Sequence, residues 1–390
     1  MNFVIVTIAR WEHNFLLEWI LYHLVIGFTH IYVYDNGDVT KEQPLQGHVQ
    51  PYLERLQLEK CVTFISFPGY RMQPFAYHHW LETYGRSYSN DSYAGFIDVD
   101  EFIAFPRDSS VQEFAKRLLL NPESPICGRH IAMPWVMFGT SDIWKLNPQE
   151  LLIRQLVRRA KYPENKIKTL LNIPLFLKTY RSTISCVHNL AWVSYLSNGH
   201  VVKGPIMETS TPDPPAHFNY NVHEPILDLD VYIHHYFSRD EHSFVTKTLS
   251  TRPLGCSPKE HRYRNYSGMW RVRNLYSEIR DEWLSERYGD MLCGLMRRAG
   301  YFHESPDPPN HNHSHHDVPE NVSESVARFV MEHPELKSYW HFIPDCNSPK
   351  DYESYKSSQE FINVKYLEYA QVQSKWYGRY EKQKKMCPYL

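Results

Sequence analysis

The stretch Tyr93-Ala94-Gly95-Phe96-Ile97-Asp98-Val99-Asp100-Glu101-Phe102-Ile103 constrains this chain more than any other. Small, aromatic and aliphatic residues run straight into three acids and then turn apolar again. The pattern predicts a buried strand ending in a carboxylate cluster, followed by a second short strand. Asp98 and Asp100 lie two apart, so in an extended backbone their side chains share a face. Two carboxylates that close repel, and burial forces one to hold a proton unless a cation neutralises them. Hard oxygen ligands suit Mg²⁺ or Mn²⁺, which share their remaining positions with water and substrate phosphates.

An isolated Asp-X-Asp occurs by chance in many proteins, and its bland form is a solvated turn. Here the apolar flanks argue that the acids project from a sheet edge, where ligands bind in open α/β sheets. A phosphatase with an aspartyl nucleophile also puts Asp-X-Asp after an apolar strand. It expects Thr or Val two residues beyond the second acid, where this chain has Phe102.

The residues before the acids supply the rest of such a sheet. Phe3 to Ala9 is a β-branched run suited to a central parallel strand. A helix is expected from about Asn14 to Ile26, stopped by Gly27. His30 to Asp35 is a second strand, Val49 to Leu58 a helix, Val62 to Ser66 a third strand and Gln73 to Arg86 a helix. Strand and helix alternating up to the acids predict a mostly parallel, Rossmann-like α/β sheet with right-handed crossovers. No G-x-G-x-x-G turn follows the first strand, which argues against a nicotinamide or flavin dinucleotide.

Beyond Phe105 the pattern loosens. Val111 to Leu120 reads as a helix, and Arg154, Arg158, Arg159, Lys161, Lys166 and Lys168 as a solvated basic helix face, with docking on acidic lipid the other reading. His188 reads as a core histidine, and Pro205 to Pro225 as a long loop. Asp230 to Phe237 alternates as a strand does, so of the adjacent His234 and His235 at most one shares the face of the acids. A helix through Phe244 to Leu249 comes next. Residues 301–323 form a Pro-, His- and Asn-rich linker whose His311, His313, His315 and His316 suit either a transition metal or disorder. Residues 324–390 make a weakly helical appendage to a main domain over 1–300.

The net charge of -2 gives no electrostatic case for nucleic acid. Seven scattered cysteines without a C-x-x-C pair suit reduced thiols. Neither a signal peptide nor a transmembrane run is legible, so a cytoplasmic protein, soluble or peripherally attached to a membrane, is expected.

Four blocks, in order over roughly residues 3 to 253, resemble the glycosyltransferase family 92 and related family 2-like proteins. They are Glu18-Trp19-Ile20-Leu21-Tyr22-His23 with Gly27 to Asn36, then Phe96 to Phe102, then Trp135 with Phe138-Gly139-Thr140-Ser141, and Ile233 to Phe237 with Phe244, Lys247 and Arg252. Asp142 and the residues after it depart from the family's third block, and His234 stands where Asn is usual. The resemblance implies a GT-A fold, a UDP- or GDP-sugar donor, a glycan or glycoconjugate acceptor and Mn²⁺ or Mg²⁺. Asp98 and Asp100 would hold the metal, with His235 as the candidate third ligand or else a buried hydrogen-bonded histidine. Thr7, Arg10 and Asp35, at the ends of the first two strands, would meet the nucleoside, as Asp98 would. Lys247 and Arg252 would pair with phosphate oxygens or be plain helix-surface charges. For an inverting transfer Asp142 is the expected catalytic base, with Glu208 as runner-up. The competing expectation is a non-catalytic nucleotide-sugar- or carbohydrate-binding protein of the same fold.

Overall fold

The computed structural model describes residues 2–37, 42–69, 72–88, 91–164, 166–179, 187–203, 229–244, 272 and 276–303. The chain divides into two compact units, and every described residue belongs to the first, made of Met1–Glu208, Asp213–Phe244 and Arg271–Asp317. Lys247, Arg252, Glu208, the four linker histidines and the 324–390 appendage lie outside the described residues.

The N-terminal half matches the predicted alternation. Strand β1 (Asn2–Ala9) leads to helix α1 (Leu16–Val25), β2 (His30–Asp35), α2 (Leu45–Arg55), β3 (Val62–Ser66), α3 (Gln73–Thr83) and β4 (Ser92–Phe96). After β4 come β5 (Glu101–Ala104), α4 (Val111–Phe114), β6 (Ile131–Met137), α5 (Leu152–Gln155), β7 (Arg158–Arg159) and β8 (Ile167–Asn172). The remainder is α6 (Ile173–Thr179), β9 (Val193–Tyr195), β10 (Val201–Lys203), β11 (Tyr232–His235), β12 (Ile279–Arg280) and α7 (Trp283–Ala299).

Among the described residues, ten strands form one mixed, mostly parallel sheet whose main path runs β10-β9-β6-β8-β4-β1-β2-β3. β1 pairs in parallel with β2 on one side and with β4 on the other. Successive strands therefore leave β1 in opposite directions, which puts the switch point of the sheet, the place where open α/β sheets form a ligand crevice, at the carboxyl ends of β1 and β4. Both sheet faces are covered. Phe3 and Ile5 pack with Trp19, Ile20 and the apolar side of α7, whereas Val4 and Val6 pack with Tyr77, Trp80 and Phe176. Burial on both faces explains why β1 reads as a continuous apolar run rather than an alternating one.

Three expectations need correction. The helix predicted over Val111 to Leu120 is a single α-turn followed by a wider, π-type turn over Ala115–Leu119. The helix expected from Val49 begins at Leu45 and tolerates Pro51 within it. Apart from Arg154 in α5, the basic stretch is no helix face. Arg158 and Arg159 form β7 against Ile279–Arg280, Arg159 pairs with Asp281 at 2.5 Å, and Lys168 is fully buried in β8. No described helix is long and apolar enough to cross a membrane.

Candidate active site

The acids sit where β4 ends. Val6 lies opposite Phe96, and the Ile97 N–H reaches the Val6 carbonyl at 3.3 Å, so the chain leaves the sheet just beyond β1. A turn closed by Glu101 N–H on the Asp98 carbonyl, 3.0 Å, then returns it as β5. Helix α1 holds that return in place. The Trp19 indole N–H donates to the Glu101 carbonyl and the Tyr22 hydroxyl to the Ile103 carbonyl, each at 2.7 Å. His23 accepts from the Ile103 N–H at 3.3 Å through Nε2 and lies 2.8 Å from the Trp19 carbonyl through Nδ1. The two bonds require a neutral ring with its proton on Nδ1, and burial accordingly lowers the His23 pKa to about 3. The Glu18-Trp19-x-x-Tyr22-His23 pattern is thus the clamp on the acid turn, except for Glu18. That carboxylate points the other way, accepting the N–H groups of Leu152 and Ile153 at 2.8 and 3.2 Å.

β11 completes the site. It lies antiparallel to β5, with His235 opposite Glu101, and parallel to β6, with His235 opposite Met137. The Tyr236 N–H donates to the Asp100 carbonyl at 2.8 Å. His235 Nε2 stands 3.4 Å from Asp100 Oδ1, and the two side chains keep 5% and 9% of their surface. The Trp135 ring packs on His235 at 4.3 Å between centroids, with half-buried His188 edge-on to the same indole at 5.2 Å. His234 faces away, stacked between Phe138 and Tyr232. The strand alternation thus brings one histidine of the pair to the acids.

Asp98 has different company. Its Oδ1 accepts from Gln73 Nε2 and its Oδ2 from Lys168 Nζ, both at 2.9 Å, and its side chain keeps 35% of its surface. Lys168 Nζ is also 3.5 Å from Glu101 Oε2, which accepts the Asp98 N–H at 2.9 Å. Burial opposes the charge on Lys168, but Asp98 and Glu101 outweigh it and raise its pKa, so the ammonium stays charged. Burial first, then Asp98 and Asp100 against the pull of Lys168, pushes the Glu101 carboxyl well up. The sequence reading missed Gln73 at this site, took Lys168 for a solvated charge and gave Glu101 no role beyond membership of the acid cluster.

The expected nucleoside residues occupy three different settings. Thr7 is fully buried within β1, and its hydroxyl has no partner among the described residues. Arg10 comes just after β1, pairs with Glu42 and lies 4.4 Å from the centroid of the exposed Trp11 ring. Asp35 ends β2 with both oxygens engaged, by the N–H groups of Gly37 at 2.9 Å and Leu45 at 2.8 Å. It thereby anchors the loop into α2. The expected base, Asp142, is exposed in a left-handed turn, with φ of 51° at Ser141 and 60° at Asp142. That turn begins at Gly139, where a Cβ would collide with Ser277 Oγ and the Val272 carbonyl.

The donor set can be tested against a divalent cation. Among the described residues no cluster of three His, Cys, Asp or Glu side chains is shaped to hold an ion. Asp100 and His235 nevertheless offer two donor atoms 3.4 Å apart. One ion spans that bite at ligand distances of about 2.0–2.3 Å, and a carboxylate–imidazole pair suits Mn²⁺, so the residues fit an ion completed by water or substrate oxygens.

The acidic turn lies at the switch point of an α/β sheet, where such folds bind ligands. The chain is similar over 117 residues, at 27% identity, to a glycosyltransferase family 92 protein of Oryza sativa subsp. japonica, covering 30% of this chain and 18% of that protein. A second family 92 protein, from Ricinus communis, is 33% identical over 97 residues, which is 25% of this chain and 15% of the relative. The chain thus matches under a fifth of the length of either relative. No family model matches. The solved structure of S. aureus TarS covers 71% of this chain and 44% of its own at 9% identity, with a TM-score of 0.27 that carries no argument.

Proposed function

We propose that this chain is a divalent-metal-dependent glycosyltransferase that moves a sugar from a UDP- or GDP-sugar to a hydroxyl of a glycan or glycoconjugate with inversion. The observation that carries the reading is the Asp100–His235 pair, 3.4 Å apart at the carboxyl edge of the sheet beside the β1/β4 crevice. The local similarity to two family 92 proteins supports it.

Asp100 and His235 would hold Mn²⁺ or Mg²⁺, which supplies positive charge to a diphosphate leaving group. The residues of the chain do the rest. Asp98, held by Gln73 and Lys168, presents a fixed acceptor to donor hydroxyls, since a carboxylate has about four lone-pair sites and two are used. Arg10, over the ring of the exposed Trp11 just after β1, would meet the nucleoside. Asp142, exposed in its strained turn, takes the proton of the acceptor hydroxyl as the new bond forms.

The test is turnover of a broad panel of nucleotide sugars with Mn²⁺ present, read as release of nucleoside diphosphate with and without glycan acceptors. Absence of both turnover and metal-dependent nucleotide binding across that panel would end the proposal. Binding without turnover would leave the non-catalytic reading in its place.

A further inference from the structure

Lys168 is an unusual residue to find in the middle of a sheet. It lies opposite Met133 in β8, flanked by β4 and β6, and no part of its side chain reaches solvent. A lysine ammonium without a counter-charge there would be expelled or neutralised, so its presence depends on the acids it touches. Those acids are Asp98 at 2.9 Å and Glu101 at 3.5 Å. Asp100 instead faces His235. The three acids of the turn are therefore divided between two partners.

From this division we infer that Lys168 is a positioning residue: its ammonium is the resident cation of Asp98, and with Gln73 it holds that carboxylate away from the divalent ion, so that Asp100 and His235 alone face the metal. The inference rests on the metal-dependent reading above and departs from the expectation drawn from the sequence, in which Asp98 shared the metal with Asp100. The geometry explains why. Each Asp98 oxygen is already an acceptor at 2.9 Å, and turning the carboxylate toward an ion would take from the buried ammonium its nearest counter-charge and from the half-buried Gln73 amide one of its two acceptors. Lys168 also resolves the repulsion of the acid turn before any metal arrives, so the turn is built without one.

The experiment uses the full chain without nucleotide and reads Mn²⁺ affinity by calorimetry, together with urea stability in chelator. Asp98→Asn keeps Mn²⁺ affinity within about threefold of the wild type, whereas Asp100→Asn weakens it at least about tenfold. Lys168→Met releases Asp98, so Mn²⁺ binds about tenfold tighter and restores stability that the variant lacks in chelator. The double change Lys168→Met with Asp98→Asn removes both effects. If the single lysine variant does not fold, the Asp98→Asn affinity and the stability of the double variant still decide the matter.

A loss of Mn²⁺ affinity of about tenfold or more in Asp98→Asn overturns the inference. So does a folded Lys168→Met that binds Mn²⁺ no tighter than the wild type. Donor turnover alongside either result leaves the transferase reading standing, and a wild type that binds no Mn²⁺ removes the inference together with the metal.

Discussion

Replacing Glu18 by Gln tests whether this fold carries a burial cost unrelated to the acid turn. Glu18 is buried, and that burial pushes its carboxyl from 4.5 up to about 7, against the opposing pull of the Leu152 and Ile153 N–H groups. In the unfolded chain the carboxyl titrates near 4.5, so between about pH 4.5 and 7 the native state holds the extra proton. Stability from this group is therefore full below about pH 4.5 and is lost as pH rises through 7. At 1.36 kcal/mol per unit, the difference amounts to about 3 kcal/mol. Gln keeps one acceptor and cannot ionise. Its loss of the second acceptor adds a constant offset of about 1–3 kcal/mol, which does not depend on pH. The informative quantity is the change in the wild-type-to-variant gap between pH 4.5 and pH 8, measured from urea midpoints by tryptophan fluorescence. Relative to the wild type, Glu18→Gln should gain about 3 kcal/mol over that range, a midpoint movement on the order of 1 M. A gap that stays constant would refute the reasoning, for it would mean that the two backbone donors fully offset burial.

The remaining predictions concern the clamp and the site. His23, lowered to about 3 by burial, stays neutral while the unfolded chain protonates near 6.5, so its contribution is lost as pH falls from about 6.5 toward 3. His23→Gln should flatten the acid limb of the stability curve by up to about 1.4 kcal/mol per pH unit, read from urea midpoints at pH 4.5 to 6.5. Asp100→Asn should cut Mn²⁺-dependent donor turnover by two orders of magnitude or more, roughly the scale of a lost electrostatic element, while circular dichroism stays unchanged. Asp142→Asn should lower kcat with acceptor by about 10²–10⁴ and leave donor KM unchanged, and an unaltered kcat would move the base elsewhere. Gly139→Ala should destabilise by about 1–3 kcal/mol because its methyl meets Ser277 Oγ and the Val272 carbonyl, and thermal melting would show it.

Legibility in the sequence tracks distance along the chain. β1 to β4 and the helices between them are coded locally, by apolar runs with turn residues after them, and they appear where expected to within a few residues. That at most one of His234 and His235 shares the face of the acids was legible from strand alternation, whereas the choice of His235 came with the family resemblance. Lys168 was not legible. Its surroundings read as a solvated charge because its partner Asp98 lies 70 positions away, and nothing local marks a lysine as buried. Arg158 and Arg159 misled for the same reason, their neighbours being Ile279–Arg280 and Asp281. A long-range ion pair cancels a charge without changing the residues beside it.

The placement of β11 bears on how the protein is made. β5 and the carboxyl half of β6 emerge from the ribosome long before β11, and among the described strands β5 pairs with β11 alone. Until residues 232–235 arrive, the nascent chain carries an open strand edge next to its own acidic turn. Such an edge invites pairing with other chains during synthesis. The acids beside it, with like charge on each copy, would discourage that encounter until His235 is delivered. Slowing translation beyond residue 138 should therefore raise aggregation of nascent chains, and more so when Asp98 and Asp100 are both made neutral.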